Sequence, residues 1–192
     1  MKIRPAEKFD VPAIARIGAS AFAQEPIYAH FFPLHTLYPQ DFHRFFLDEA
    51  ANALLSPGKV LMVVELEESD ALESDTDFQD MQKERRIVAF ATFVRYLQLS
   101  RSRIEFRTLA VDPAYQRRGF GEKLVEWYSI RAWEEDVPVF GDASTKGLPL
   151  YLRNGCEDIG RIILPKQIVN PRDGLESIEL DGMEVVVLRW KA

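Results

Sequence analysis

The chain has 192 residues, 47% of them hydrophobic and 28% charged, with a formal net charge of -6 at pH 7. That length suits one domain with a well-buried core and is short for two, so we read residues 1–192 as a single unit. The composition excludes a disordered chain, and no apolar run approaches the ~20 residues of a membrane-spanning helix.

Taken in chain order, Ile3-Arg4-Pro5 is a short first strand, and the segment from Met1 to Pro5 lacks the apolar stretch of a signal peptide. Asp10 stands where it can cap a helix through about Phe22, with Pro12 in the first turn, where its missing N–H costs nothing. A second helix is predicted from about Pro39 to Leu55, stopped by Pro57-Gly58. Val60 to Val64 reads as a buried strand and Ile87 to Tyr96 as its partner. Between them lies the whole charge imbalance. From Glu65 to Arg86 there are nine acids and three bases, which leaves the remainder of the chain formally neutral. So polar a stretch cannot bury enough surface to offset its ordering entropy, and a mobile insertion is expected at about 66–86. A neutral remainder also argues against nucleic-acid binding, which wants a basic face.

Arg103 to Val111 is a further strand, stopped by Asp112-Pro113. A helix follows from about Gly119 to Glu135, then a strand over Val137 to Gly141 and a short helix from Leu148 to Arg153 that ends at Asn154-Gly155. Ile159 to Leu164 and Met183 to Trp190 read as a closing antiparallel pair, with Asp181-Gly182 as a turn before the last strand. The order is that of a mixed α/β layer and not of a regular βαβ alternation. Cys156, the single cysteine, has no partner for a disulfide and reads as a small core residue in a reducing compartment. A cytoplasmic protein is expected, with the nucleus left open.

The segment that carries chemistry is Leu109-Ala110-Val111-Asp112-Pro113-Ala114-Tyr115-Gln116-Arg117-Arg118-Gly119-Phe120-Gly121. A strand ends, the chain turns, and a helix starts at a loop with two glycines. Helix starts leave N–H groups unpaired and carry partial positive charge, so they attract anions, and glycines let a phosphate approach the backbone. Arg117 and Arg118 at that positive end cost roughly 0.3–1 kcal/mol each unless an anion lies between them and the helix. A dinucleotide fold would want a third glycine where Leu124 stands, and a P-loop would want Gly-Lys-Ser/Thr. Both fit poorly.

The stretch Gln116-Arg117-Arg118-Gly119-Phe120-Gly121 resembles the Gln/Arg-x-x-Gly-x-Gly/Ala pyrophosphate loop of the GNAT acetyltransferase superfamily. Leu109 to Pro113 is similar to that family's fourth strand and its exit. Pro149 to Cys156 resembles its Leu-Tyr-x-x-x-Gly-Phe segment, with Cys156 in the usual place of phenylalanine. The nearest resemblance is to small fungal-type members. It implies a mixed, mostly antiparallel sheet of about seven strands, splayed between the fourth and fifth, with about four flanking helices.

The resemblance further implies acetyl-coenzyme A (acetyl-CoA) as acyl donor and a primary amine, on a small molecule or a peptide, as acceptor. Leu109, Ala110 and Val111 would pair with the pantetheine arm, with the amide nearest Leu109 polarising the acetyl carbonyl. The amides of Gln116, Arg117, Arg118, Gly119, Phe120 and Gly121 would hold the pyrophosphate. Ser144 would bond the arm or cap a turn. Tyr151 matches the family's proton donor to the departing thiolate. Glu105 is the candidate base, on the expectation that alternation puts residues 105, 107, 109 and 111 on one face. Arg107 is the competing partner for its carboxylate. Eight of the 22 aromatics and all three histidines lie between Phe22 and Phe46. Phe22, Tyr28, Phe31 and Phe32 are the candidate acceptor-site residues, and a plain aromatic core is the competing reading. No histidine spacing indicates a metal. A non-catalytic acyl-CoA-binding module stays open as the alternative function, and a monomer or homodimer as the assembly.

Overall fold

The computed structural model describes residues 1–67, 86–96, 102–165, 167–169, 177–179 and 183–190. Strands β1 (Lys2–Pro5), β2 (Lys59–Glu65), β3 (Ile87–Tyr96), β4 (Arg103–Val111), β5 (Val139–Ala143), β6 (Glu157–Leu164), β7 (Gln167–Val169), β8 (Ser177–Glu179) and β9 (Met183–Trp190) occur with helices α1 (Val11–Phe22), α2 (Pro26–Phe31), α3 (Pro39–Leu55), α4 (Phe120–Glu134) and α5 (Leu148–Arg153). Seven strands form one sheet in the order β1-β2-β3-β4-β5-β9-β6, and β7 and β8 form a separate pair. Within the seven-stranded sheet only β4 and β5 run parallel; every other neighbouring pair is antiparallel. Most of the expected acidic insertion, residues 68–85, and the Asp181-Gly182 turn lie outside the described residues.

Helices cover both faces because each strand alternates its apolar residues between them. On β2, Leu61 and Val63 enter one core with Ile14 and Ile17 of α1 and Ala50 and Ala53 of α3. Met62 and Val64 enter the other, with Leu124 and Tyr128 of α4 and Tyr151 of α5. Each helix buries one stripe at helical spacing: Val11, Ile14, Ala15 and Gly18 in α1, and Leu124, Val125, Tyr128 and Ala132 in α4. A Leu or Phe so buried contributes about 1.5–3 kcal/mol relative to exposure. Phe93 of β3 lies flat on Tyr128, with ring centroids 3.9 Å apart, and ties α4 to the middle of the sheet.

Three details depart from expectation. The stretch after α1 holds an additional helix, α2, begun by Pro26 at its first turn, so five helices are described where about four were expected. Asp10 does not cap α1 through its side chain. Its buried carboxylate takes two bonds from the Arg4 guanidinium, at 2.7 and 3.0 Å, and the Glu7 N–H at 2.8 Å, so it fastens β1 to the helix instead. The fifth strand starts two residues later than predicted. The Val137 N–H still bonds the Ala132 carbonyl, and the Pro138 carbonyl accepts the Ile104 N–H just before pairing begins.

Candidate active site

The register of β3 against β4 steps at one point: Thr92 faces Thr108, and Phe93 faces Phe106. Arg107 is therefore a bulged residue, and a bulge reverses which face later residues occupy. Before it, Ile104 and Phe106 point to the α4 side. After it, Leu109 and Val111 do so, and both side chains approach Gly121 of α4. Glu105 and Thr108 thus lie on the opposite face from Leu109. This corrects the expectation that Glu105, Arg107, Leu109 and Val111 share a side, because strict alternation holds only without a bulge. The Glu105 carboxylate is moreover engaged. Tyr96 donates its hydroxyl to it at 2.9 Å, and Arg107 approaches the same oxygen at 3.2 Å.

Strands β4 and β5 pair over three positions only, Ile104 with Val139, Glu105 with Phe140 and Phe106 with Gly141. Beyond Phe106 the two diverge, so the backbone of residues 107–111 has β3 on one side and no strand on the other. This is the expected splay, and Gly141 stands at its apex. A Cβ there would sit 3.0 Å from Cβ of Phe106, so a side chain at 141 would push the strands apart where they must still touch.

The open end of the fork meets the mouth of α4. Asp112 turns the chain: its carboxylate accepts the Ala114 N–H at 3.1 Å and the Arg16 guanidinium at 2.6 Å. The turn holds two residues in the left-handed region, Arg117 at φ 64° and Gly119 at φ 85°. Lys123 N–H bonds the Gly119 carbonyl at 3.0 Å, so the amides of Gly119, Phe120, Gly121 and Glu122 precede the intrahelical ladder. Gln116 folds back and donates from its side-chain amide to the Val111 carbonyl at 3.2 Å. Arg118 lies 4.8 Å from the ring centroid of buried Tyr115, and Arg86 lies 4.9 Å from it. The loop therefore presents free amides and oriented guanidinium groups beside a groove, an arrangement that can bind a phosphate-bearing chain.

Tyr151 sits across the fork, on the α4 side. Its ring meets Phe106 edge-on at 5.3 Å and Trp190 at 5.7 Å. Burial, assisted by the Asp142 charge, holds its phenol well above the ordinary tyrosine value, so the hydroxyl keeps its proton into alkaline pH. Cys156 is buried, as expected of core filler, and burial pushes its thiol up to about 12. Ser144 takes the turn role: its hydroxyl oxygen accepts the Gly147 N–H at 3.2 Å, ahead of α5.

On the other side of the fork stands the aromatic lobe. Phe22 stacks on Tyr28 at 4.5 Å, and Phe32 packs on Phe45 at 4.6 Å and on Phe42 at 5.5 Å. These three of the four candidate acceptor residues are built into a packed cluster with Phe42 and Phe46. Phe31 is 58% exposed, and its ring meets that of His30 edge-on. Tyr28 reaches the sheet, where its hydroxyl is hydrogen-bonded with Thr108. A cavity of about 30 Å³, room for about one water, lies between the lobe and β4, lined by Phe45, Phe46, Glu49, Thr92 and Thr108 among others. Both ring nitrogens of His35 face carbonyl oxygens, those of Phe32 and Ala23, which commits the ring to holding its loop. Among the described residues no group of side chains could hold a metal ion, and no helix is long and apolar enough to cross a membrane.

Two residues at this site escaped the sequence reading. Thr108 was hidden by the assumption of unbroken alternation. Asp142 carries a signal in retrospect, as a lone carboxylate in the apolar strand Val139-Phe140-Gly141-Asp142-Ala143. Although the residue is exposed to solvent, protein atoms crowd its carboxyl and raise it above the ordinary carboxylate range. Arg107 opposes the rise and Glu105 adds to it.

Comparison with known proteins agrees with this geometry. Residues 79–156, from before β3 to the start of β6, match the family model described as an acetyltransferase (GNAT) domain. A protein of Stachybotrys chartarum named acetyltransferase is 25% identical, over 86% of this chain and 84% of its own length. A Corynebacterium glutamicum structure described as a histone acetyltransferase HPA2 and related acetyltransferase superposes with a TM-score of 0.66 at 18% identity, covering 100% of this chain and 96% of that one. The structure of a ribosomal-protein alanine N-acetyltransferase from Escherichia coli gives a TM-score of 0.57 at 18% identity, covering 99% and 92%. The chain is thus similar to GNAT acetyltransferases: residues 79–156 match the model of that domain, and the forked sheet with the helix mouth beside it belongs to the fold of the matched structures.

Proposed function

We propose that the chain, acting as one domain, transfers the acetyl group of acetyl-CoA to a primary amine by direct attack within a ternary complex. The parting of β4 and β5 next to the mouth of α4 carries this reading, since it leaves a groove edged with unpaired backbone that ends at a phosphate-binding turn. Acetyl-CoA supplies an activated acyl group on a thioester.

The chain's own groups divide the remaining work. Backbone groups of Leu109 and Val111 bond the pantetheine amides along the groove, while those of Ala110 between them turn to β3. The Leu109 amide, just past the bulge, donates to the acyl carbonyl oxygen, where negative charge grows during attack. The amides from Gln116 to Gly121 and the Arg117 and Arg118 side chains hold the pyrophosphate. The Ser144 hydroxyl proton remains available to the arm, since its oxygen only accepts in the turn. Tyr151, protonated at neutral pH as any tyrosine is, donates to the departing sulfur. The acceptor enters from the opposite face, past Tyr28 and the exposed Phe31.

Titration calorimetry with acetyl-CoA tests the donor half, and thiol release across a panel of primary amines tests transfer. Micromolar-range binding with amine-dependent release is expected. Failure of the folded protein to bind acetyl-CoA refutes the reading, whereas tight binding with no release from any amine favours the non-catalytic acyl-CoA-binding alternative.

A further inference from the structure

We propose that Asp142, the first residue of β5 beyond its last pair with β4, takes the proton from the acceptor amine. The proposal rests on the acetyl-transfer reading and assigns the base that the reading needs. Pairing stops at Phe106 and Gly141, so Asp142 flanks the apex of the fork, while its other side remains bonded in register with Val187 of β9. Its neighbours Gly141 and Ala143 are buried, and Ala143 belongs to the core under α4 and α5. Asp142 therefore faces the other way, towards Thr108, Glu105 and the Tyr28 hydroxyl.

Three observations separate Asp142 from other carboxylates near the fork. Glu105 already accepts from Tyr96 and meets Arg107, buried Glu25 is bridged to Lys146 at 3.0 Å, and Glu49 of α3, which lines the cavity beside Thr108, bears on Tyr28 but not on Tyr151. Among the described residues Asp142 shows neither an ion pair nor a hydrogen bond from another side chain. Its charge also bears on both Tyr28, at the acceptor face, and Tyr151, at the donor face. A carboxylate that both tyrosines sense lies near the line along which amine and thioester must meet. The groups facing it are Arg107 and Glu105 from β4, Thr108 from β4 and Tyr28 from α2; the single cation among them is already shared with Glu105.

The step balances as follows. The acceptor arrives as an ammonium ion, attracted by the carboxylate, and one N–H proton passes to Asp142. The freed nitrogen lone pair forms the new C–N bond to the thioester carbonyl carbon, and the C–S bond breaks with its electron pair on sulfur. Tyr151 gives that sulfur its proton and regains one from the second proton lost by nitrogen. Asp142, open to solvent, releases the first proton to water. One ammonium and one thioester give one amide, one thiol and one proton.

The test is thiol release from acetyl-CoA with butylamine, phenethylamine, putrescine and an alanyl peptide, for wild type, Asp142→Asn and Glu105→Gln. Asp142→Asn is expected to lower kcat by about 100-fold or more on the best of these amines. Its Kd for acetyl-CoA, by calorimetry, stays within about twofold of wild type, since a base on the acceptor face leaves donor binding alone. Its residual rate rises with pH up to the amine's own pKa, near ~10.4 for an alkylamine, because only free base then reacts. An Asp142→Asn rate within about threefold of wild type overturns the assignment. So does a loss of acetyl-CoA binding in parallel with rate, or greater damage from Glu105→Gln. Wild type that binds acetyl-CoA and releases no thiol with any amine overturns the transfer reading and this assignment with it.

Discussion

Tyr28 and Thr108 share a hydrogen bond between hydroxyls that joins the aromatic lobe to β4 immediately after its bulge. The bond crosses from a short helix, built on an aromatic cluster, to the strand that edges the fork. It fixes where the proposed acceptor face stands relative to the proposed acyl-donor groove.

Removal of one hydroxyl from that pair tests the link. Tyr28→Phe keeps the stack on Phe22 and loses one hydrogen bond, which costs about 0.5–1.5 kcal/mol. For a chain of this size a 1 kcal/mol loss lowers Tm by about 2–4 °C. We expect that shift in a thermal melt, together with a higher KM for the amine and an unchanged Kd for acetyl-CoA. A melt identical to wild type would place Tyr28 outside the link.

Gly18 of α1 lies against Phe46 of α3. A methyl built at 18 would come within 2.5 Å of Cδ1 and 2.7 Å of Cγ of that ring. Gly18→Ala gains up to about 1 kcal/mol of helix propensity. It loses about 1–3 kcal/mol to overpacking, because Phe46 is held among Phe22, Tyr28, Phe42 and Phe45 and cannot step aside. Overpacking wins, so urea unfolding should show a lower midpoint. A stabilised variant would mean that α1 and α3 can separate freely.

Gly119 is needed for its backbone, not for space. Its φ is 85°, and a Cβ there would meet nothing within 4 Å. Gly119→Ala therefore strains the turn by about 1–2 kcal/mol without a clash. Because the strained amides are those proposed to hold pyrophosphate, acetyl-CoA affinity should fall roughly five- to thirtyfold by calorimetry. Unaltered affinity would detach the turn from the ligand.

Tyr28, Tyr128 and Tyr151 all have phenols raised by burial. A tyrosine raised in the folded state contributes stability that is complete below its unfolded value of about 10. That stability is lost as pH climbs towards the folded value. Alkaline unfolding is thus expected to begin near pH 10. The phenolate absorbance of these three should appear only with loss of near-UV circular dichroism. Smooth ionisation of all tyrosines around pH 10 in a folded protein would contradict their burial.

The turn proposed as the donor half of the site was legible in the sequence because it is local. A strand exit, an Asp-Pro turn, two glycines and two arginines within thirteen residues define a helix mouth whatever surrounds it, and hydrophobic periodicity placed α1, α3, β3, β4 and α5 with little error. Three features were decided only by tertiary structure. The bulge at Arg107 depends on β3, since an extra residue exists only relative to a partner strand, and it moved Glu105 away from Leu109. The fork exists because Gly141 is the last residue of β5 to touch Phe106, a fact of pairing rather than of propensity. Asp142 gained its position from that fork and its raised carboxyl from the protein packed around it. Local chemistry is written along the chain, whereas register, face and desolvation arise only when distant segments meet.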